Sequence, residues 1–308
     1  MSKQYGYLFA GQGAQAVGMG SSLYEEFDQA KRVYEDANEA LGWDLKSISF
    51  EGPEEELTQT GVCQPALFVH GIAILRILQA HGADRSIVAV AGLSLGELTA
   101  LTAAESFSFS DGLALVAERG RLMQMACEQT DGAMASVIGG SADKVEELCH
   151  QCDIDVANFN CPGQIVISGE AAKVAEAIQI GKNMGFKLIK PLKVAGAYHS
   201  RLMEPAREAF AEKVADTRIS TPKVPFFANV TGARVADPSD IGRLLVEQVV
   251  SPVRFEGCLR EMISECGING FVECGPGNVL GGMVRRTDSS VPCEGVATLE
   301  DVRKILST

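Results

Sequence analysis

The chain has 308 residues, 46% hydrophobic and 22% charged, an ordinary globular balance with enough length to bury a large core in one or two domains. Its net charge of −13 argues against a nucleic-acid-binding surface. No apolar run approaches a membrane span, the N-terminus lacks a secretory pattern, and nine scattered cysteines suggest reduced thiols in a cytoplasm-like compartment.

The first predicted element is a strand from Tyr5 to Ala10. It runs into the tight loop Gly11-Gln12-Gly13-Ala14-Gln15. That loop reads either as a plain glycine turn or as a segment whose backbone N–H groups lie open to a ligand. Helical patterns follow from about Met19 to Leu41 and from Gln64 to His81, the second closed by Gly82. Between them, Pro53-Glu54-Glu55-Glu56 puts proline and acids at a helix start, where both are favoured. His70 and His81 belong to the second helix, where a lone histidine is more often structural than catalytic.

The segment Ser86 to Leu101 carries the strongest signal. It begins as a β-branched apolar run, a buried strand, and ends in good helix formers. Between these lies Gly92-Leu93-Ser94-Leu95-Gly96, the G-x-S-x-G pattern of a nucleophile elbow. Glycine on each side removes the Cβ atoms that would block so tight a turn. Ser94 is then held at its tip, and the next helix aims free N–H groups at the same spot. Such an elbow takes a second N–H from another loop to complete an oxyanion hole, and Gln12 is the natural donor.

After the elbow, Ser110-Asp111-Gly112 is a plausible helix start. One face of that helix carries Leu115, Val116, Arg119, Leu122 and Met123. Arg119 stands in the middle of this apolar stripe, and a guanidinium there needs an anionic partner. Glu118 points elsewhere. Two readings stay open: a structural ion pair with a distant acid, or a clamp for a substrate carboxylate.

Residues 132–193 read as strand (133–138), helix (142–149), strands (154–159 and 165–168), helix (170–182) and strand (186–192). This β-α-β-β-α-β order is that of a ferredoxin-like unit inserted into a larger domain. Cys149-His150-Gln151-Cys152 has metal-like spacing but no second Cys/His pair beside it. Then comes the loop Val194 to Ser200. His199 is the only histidine in a Gly/Ala-rich loop, and so the best base for Ser94, with His150 as its competitor. The remainder alternates again: strand 224–230, helices 241–250 and 255–265, and strand 271–274 before Gly275-Pro276-Gly277. That rhythm predicts a parallel sheet covered on both faces.

Taken together, Gly11 to Gln15, Gln64-Pro65-Ala66, the Ser94 elbow, Glu118-Arg119-Gly120, Asn158 to Gln164, Tyr198-His199-Ser200, Gln248 and Glu273 to Gly277 resemble malonyl-CoA:acyl carrier protein transacylases and the acyltransferase domains of fatty acid and polyketide synthases. The resemblance implies an α/β fold. Its large α/β-hydrolase-like subdomain spans 1–128 and 195–308, with a small ferredoxin-like (βαββαβ) subdomain over 129–194. It implies Ser94 as nucleophile, His199 as base, and backbone N–H groups of Gln12 and Leu95 as the oxyanion hole. It places Arg119, Gln248, Met123 and Tyr198 at the substrate, with Arg119 on the malonyl carboxylate and Gln248 near the histidine. Leu93 stands where the family usually has His, and Tyr198 where malonyl-type members commonly carry Phe. The implied reaction is ping-pong malonyl transfer from malonyl-CoA to an acyl carrier protein, in the cytoplasm, by a monomer using no metal or redox cofactor.

Alternatives are a serine esterase or thioesterase, a polyketide-synthase acyltransferase with another extender unit, and a non-catalytic carrier-binding protein. Lys187, Lys190 and Lys193 are expected on one strand face beside the His199 loop, as a basic patch for acidic partners, with Arg285-Arg286 as a second candidate.

Overall fold

The computed structural model describes residues 4–83 and 87–307, so the expected strand start at Ser86 lies outside the described residues. The chain opens with β1 (Tyr5–Phe9), then α1 (Ser21–Glu26), α2 (Asp28–Leu41), α3 (Leu45–Glu51), α4 (Glu54–Leu57) and α5 (Thr60–Ala80). The single helix expected over residues 19–41 is broken at Phe27, whose backbone is extended (φ −117°, ψ 125°). Its ring packs edge-on against His81 at the far end of α5. Helix α3 was not expected from its Ser-rich, β-branched composition; Asp44 starts it by accepting the Ser47 N–H at 3.1 Å.

Next come β2 (Ile87–Gly92), α6 (Gly96–Ala103) and α7 (Phe109–Glu128). Helix α7 starts earlier than the sequence suggests, because Ser108 is the cap and accepts the Asp111 N–H at 3.0 Å. The middle segment gives β3 (Gly132–Ile138), α8 (Ala142–Cys152), β4 (Asp155–Cys161), β5 (Gln164–Glu170), α9 (Ala171–Asn183) and β6 (Leu188–Pro191). The last third holds α10 (Glu204–Ala215), β7 (Phe226–Ala228), β8 (Ala233–Val235), α11 (Pro238–Gln248) and α12 (Phe255–Cys266), followed by β9 (Gly270–Cys274), α13 (Val279–Thr287), β10 (Cys293–Val296) and α14 (Leu299–Leu306).

The large sheet runs β10-β9-β1-β2-β7-β8. It is parallel except for β8, an edge strand that turns back antiparallel on β7 where one longer strand was expected over 224–230. Side chains alternate across it. Tyr7 and Phe9 face α5 and α7, while Leu8 joins Phe271, Phe255 and Met262 on the other face. Each such side chain, fully buried, contributes about 1.5–3 kcal/mol. Helix α5 corrects the expectation that no run is span-like. Its apolar window reaches a mean hydropathy of 1.6, but 83% of that window is buried inside the fold. It is the central core helix between α2 and α7.

The second sheet, β4-β5-β3-β6, is antiparallel throughout. One face packs on α8 and α9, where Cys149 and Cys152 sit among Val145, Leu148 and Val174. The opposite face turns Met134 and Val166 into the main core. Paired backbone bonds between β4 and Val253 pin it there (Phe159 N–H to Val253 O and Val253 N–H to Ala157 O, both 2.8 Å). The lysine patch needs correction. Lys190 lies opposite Ser136 and Leu188 opposite Ile138, so a three-residue spacing sends Lys187 to the other face. Lys190 shares the cleft-facing side of Ser136, and Lys193, beyond the end of β6 where the strand alternation no longer applies, lines the cleft between the two sheets.

Strand β2 turns into α6 with almost no space. A Cβ on Gly96 would overlap the Phe9 carbonyl oxygen, and one on Gly92 the Gly96 carbonyl. Gly96→Ala is therefore expected to push α6 off β1 and cost at least ~1–3 kcal/mol in chemical denaturation. Gly282→Ala, inside α13 with no atom within 4 Å of the new Cβ, is expected to be neutral or to stabilise by ~0.5–1 kcal/mol in the same assay.

Candidate active site

The elbow holds Ser94 at φ +55°, a left-handed conformation that a non-glycine residue adopts only when its surroundings enforce it. Asn229, just after β7, supplies that enforcement. Its Oδ1 accepts the Ser94 N–H at 2.8 Å and its Nδ2 donates to the Gly92 carbonyl at 2.8 Å. The Ser94 Oγ lies 2.7 Å from His199 Nε2. His199 is itself at φ +56° and buried. Its Nδ1 lies 2.8 Å from the backbone carbonyl of Gln248. A carbonyl can only accept, so Nδ1 carries the proton and Nε2 presents its lone pair to the serine hydroxyl. Burial, with Arg119 nearby, pushes the His199 pKa down to about 3. The base is therefore neutral and ready at neutral pH. His150, the competitor, sits exposed on α8 behind the small sheet.

Arg119 is 1% exposed on α7. Its Nη1 donates to Gln64 Oε1 at 2.7 Å, and its Nη2 to Gln248 Oε1 at 2.7 Å and to Ser94 Oγ at 3.0 Å. Among the described residues no carboxylate lies within ion-pair distance of it, and Glu118 is engaged by Arg121 at 2.6 Å. Burial lowers the Arg119 pKa to about 10 while Glu97, close by but not paired, pulls it back up. The guanidinium is thus charged, and its nearest acceptors are neutral amides and the serine oxygen.

Two loops complete the site. Leu95 is the N-cap of α6, and its N–H finds no acceptor among the described residues. Gln12 follows β1 in a loop drawn tightly against the elbow, since a Cβ on Gly11 would come within 2.6 Å of the Leu93 carbonyl. The Gln12 side chain donates to Tyr198 Oη at 3.2 Å and to Thr60 Oγ1 at 3.3 Å, and those two hydroxyls are 2.5 Å apart. Burial raises the Tyr198 pKa, so the ring stays a neutral phenol. The Ser94 hydroxyl opens on a cleft of about 680 Å³ between the two sheets. Gln12, Met123, Lys193, Tyr198 and His199 line it, as does Leu93, the departure from the family's usual histidine. Ser136, Asn158 and Asn160 line it as well. Arg119 and Gln248 lie beneath the cleft floor.

All eight residues nominated from the sequence fall in or beside this cleft. Gln64, Asn229 and Glu97 are additions. Gln64 belongs to the motif Gln64-Pro65-Ala66, where nothing in its residue type marks a role. Asn229 follows a short strand, and Glu97 is a lone acid in the run 95–101, a signal as informative as Arg119 in its own stripe.

An elbow serine, a histidine held through a carbonyl, and a small sheet folded over an α/β core define an acyltransferase. Residues 6–304 match the acyl transferase domain family, and the chain belongs to that family. It is 40% identical over 98% of its length to the malonyl CoA-acyl carrier protein transacylase of Bacillus subtilis (strain 168), covering 96% of that protein. The crystal structure of the acyl-carrier-protein S-malonyltransferase of Bartonella henselae superposes with a TM-score of 0.93 at 38% identity, covering 99% of this chain and 100% of that one. A malonyl-transacylase solved in complex with a type II polyketide-synthase acyl-carrier protein gives 0.94 at 33% identity, with 99% of each chain covered.

The lowered histidine pKa sets two expectations. The reaction of Ser94 with an activated ester should hold its rate as pH falls to about 5, well below the ordinary histidine value of 6.5. A stopped-flow pH profile with an acid limb near 6.5 would contradict this. Stability should respond as well. His199 and His70, the latter pushed down to about 4 by burial, bind protons more readily unfolded. Their contribution is complete above pH 6.5 and is lost as pH falls through that value toward the folded pKa values, which denaturant titrations at stepped pH will read.

Proposed function

We propose that the chain transfers a malonyl group from malonyl-CoA to the phosphopantetheine thiol of an acyl carrier protein. The observation that carries this reading is Arg119: a buried, charged guanidinium 3.0 Å from the Ser94 oxygen with no carboxylate partner among the described residues. A malonyl group on Ser94 brings the missing anion.

His199 Nε2 takes the Ser94 proton as Oγ attacks the thioester carbonyl. The Leu95 and Gln12 N–H groups stabilise the oxyanion, and the thiolate of CoA leaves with the proton from His199. The carrier's thiol then attacks the malonyl-serine; His199 removes its proton and returns it to Ser94 Oγ as the serine ester bond breaks and the new thioester forms. Met123 and Tyr198 border the acyl group. These groups and the thioester suffice for the chemistry, with no metal or redox cofactor. They all come from one chain, which supports a monomer as the working unit. Nine free cysteines support a cytoplasmic setting. The carrier and CoA are acidic, while the chain is at −13, so a local basic rim must oppose the global field. Lys190, Lys193 and Arg286 supply it. Arg286 reaches from α13 to the Pro162 carbonyl at 3.1 Å at the end of the small sheet.

Arg119→Ala separates a substrate clamp from a structural role. The kcat/KM for malonyl-CoA should fall at least ~10-fold and plausibly beyond ~10²-fold, while that for acetyl-CoA barely changes. Equal losses on both thioesters would remove the clamp. Lys190→Glu with Lys193→Glu should raise KM for the carrier protein and flatten its salt dependence, leaving KM for malonyl-CoA less affected. An unchanged carrier KM would place docking elsewhere.

A further inference from the structure

The mechanism above leaves the buried carboxylate of Glu97 unused. Glu97 is 1% exposed, in the first turn of α6, three residues after Ser94. Its Oε1 accepts the Asn229 backbone N–H at 2.9 Å, and its Oε2 accepts from the side-chain amide of Gln248. That amide also donates to the Ser94 carbonyl at 3.0 Å. Oε2 takes the Gln248 NH2 group, and the amide so held turns its Oε1 toward Arg119. There Oε1 accepts the Nη2–H at 2.7 Å, while the backbone carbonyl of the same residue holds His199 Nδ1 at 2.8 Å. Through Asn229, Glu97 also backs the residue that pins the Ser94 N–H. Burial lifts the Glu97 pKa to about 7, against the pull of Asn229, Gln248 and Arg119. So expensive a group, three residues from the nucleophile and touching no reacting atom, calls for a role.

We propose that Glu97 is a positioning residue: it orients the Gln248 amide and through it sets Arg119 and His199 for acyl transfer. The Arg119 arm of the proposal rests on the malonyl-transfer reading; the His199 arm does not. Glu97→Gln is isosteric but presents an NH2 group to the Gln248 NH2 group. One amide must turn, and a turned Gln248 puts donors against Arg119.

The test compares wild type, Glu97→Gln and Glu97→Asp. It measures kcat and KM for malonyl-CoA and acetyl-CoA, the reaction of Ser94 with p-nitrophenyl acetate, and a thermal melt. Glu97→Gln should lose at least ~10-fold in kcat/KM on malonyl-CoA, chiefly through KM, and ~3-fold or more in the ester reaction. Glu97→Asp keeps an acceptor-only carboxylate and should retain the preference for malonyl-CoA over acetyl-CoA even where the rates drop. A Glu97→Gln protein with wild-type kinetics and only a lowered melting temperature would overturn the proposal. So would equal losses on both thioesters. Should Glu97→Gln fail to fold, loss of the malonyl preference in Glu97→Asp would overturn it equally. If wild type itself shows no malonyl transfer, the functional reading fails on its own, and an unchanged ester rate in Glu97→Gln would still dispose of the role for Glu97.

Discussion

A guanidinium cannot shed its charge, so burying Arg119 obliges the fold to surround it with acceptors. The structure meets most of that demand with two neutral amides, Gln64 and Gln248, and with the oxygen of Ser94, and leaves Nε without a partner among the described residues. The choice of amides matters. A carboxylate in either place would form a closed ion pair and leave nothing for a ligand, whereas amide oxygens hold the group in place and leave its charge unneutralised. Much of the local architecture follows. Helix α5 brings Gln64, the end of α11 brings Gln248, and α7 carries the arginine between them.

The same residue that faces Arg119 governs the base. Gln248 uses its side chain on the guanidinium and its backbone carbonyl on His199 Nδ1. The histidine tautomer is therefore set by a group that cannot titrate, in place of the aspartate of a conventional triad. Burial, with the Arg119 cation nearby and no carboxylate on the ring among the described residues, brings the His199 pKa down to about 3. Such a base takes a proton only briefly, as the oxyanion forms. That suits a transfer in which the proton is handed straight to the leaving thiolate. The two sheets contribute the geometry: the parallel one sets Ser94 at the tip of β2, and the antiparallel one roofs the cleft with Ser136, Asn158 and Asn160.

Much of this was legible in the sequence because it depends on local pattern. The Ser94 elbow announces itself through Gly92 and Gly96, and the structure shows that neither position has room for a Cβ. Arg119 was visible as a charge within an apolar stripe, but its partners were not. Gln64 lies 55 residues away and Gln248 129 away, and neither type signals burial. The acceptor for His199 is a backbone carbonyl, which leaves no mark in a sequence. Glu97 stands out as the one acid in 95–101, but an acid in the first turn of a helix is favoured there, which masked its burial. Among the elements, α3, β8, α13, β10 and α14 were not expected; the short, edge or Ser-rich ones carry weak periodicity and are held by tertiary contacts. The lysine patch was misread by applying a spacing of three to a strand, whose period is two.

The central claim is that Ser94 carries the malonyl group and Arg119 reads its carboxylate. Intact-mass spectrometry of the protein after brief exposure to malonyl-CoA, followed by peptide mapping, tests it most directly. The account predicts a single malonyl adduct on the peptide containing Ser94, discharged by addition of a holo acyl carrier protein and absent from Ser94→Ala. An adduct on another residue, or release of CoA with water as the only acceptor, would contradict it.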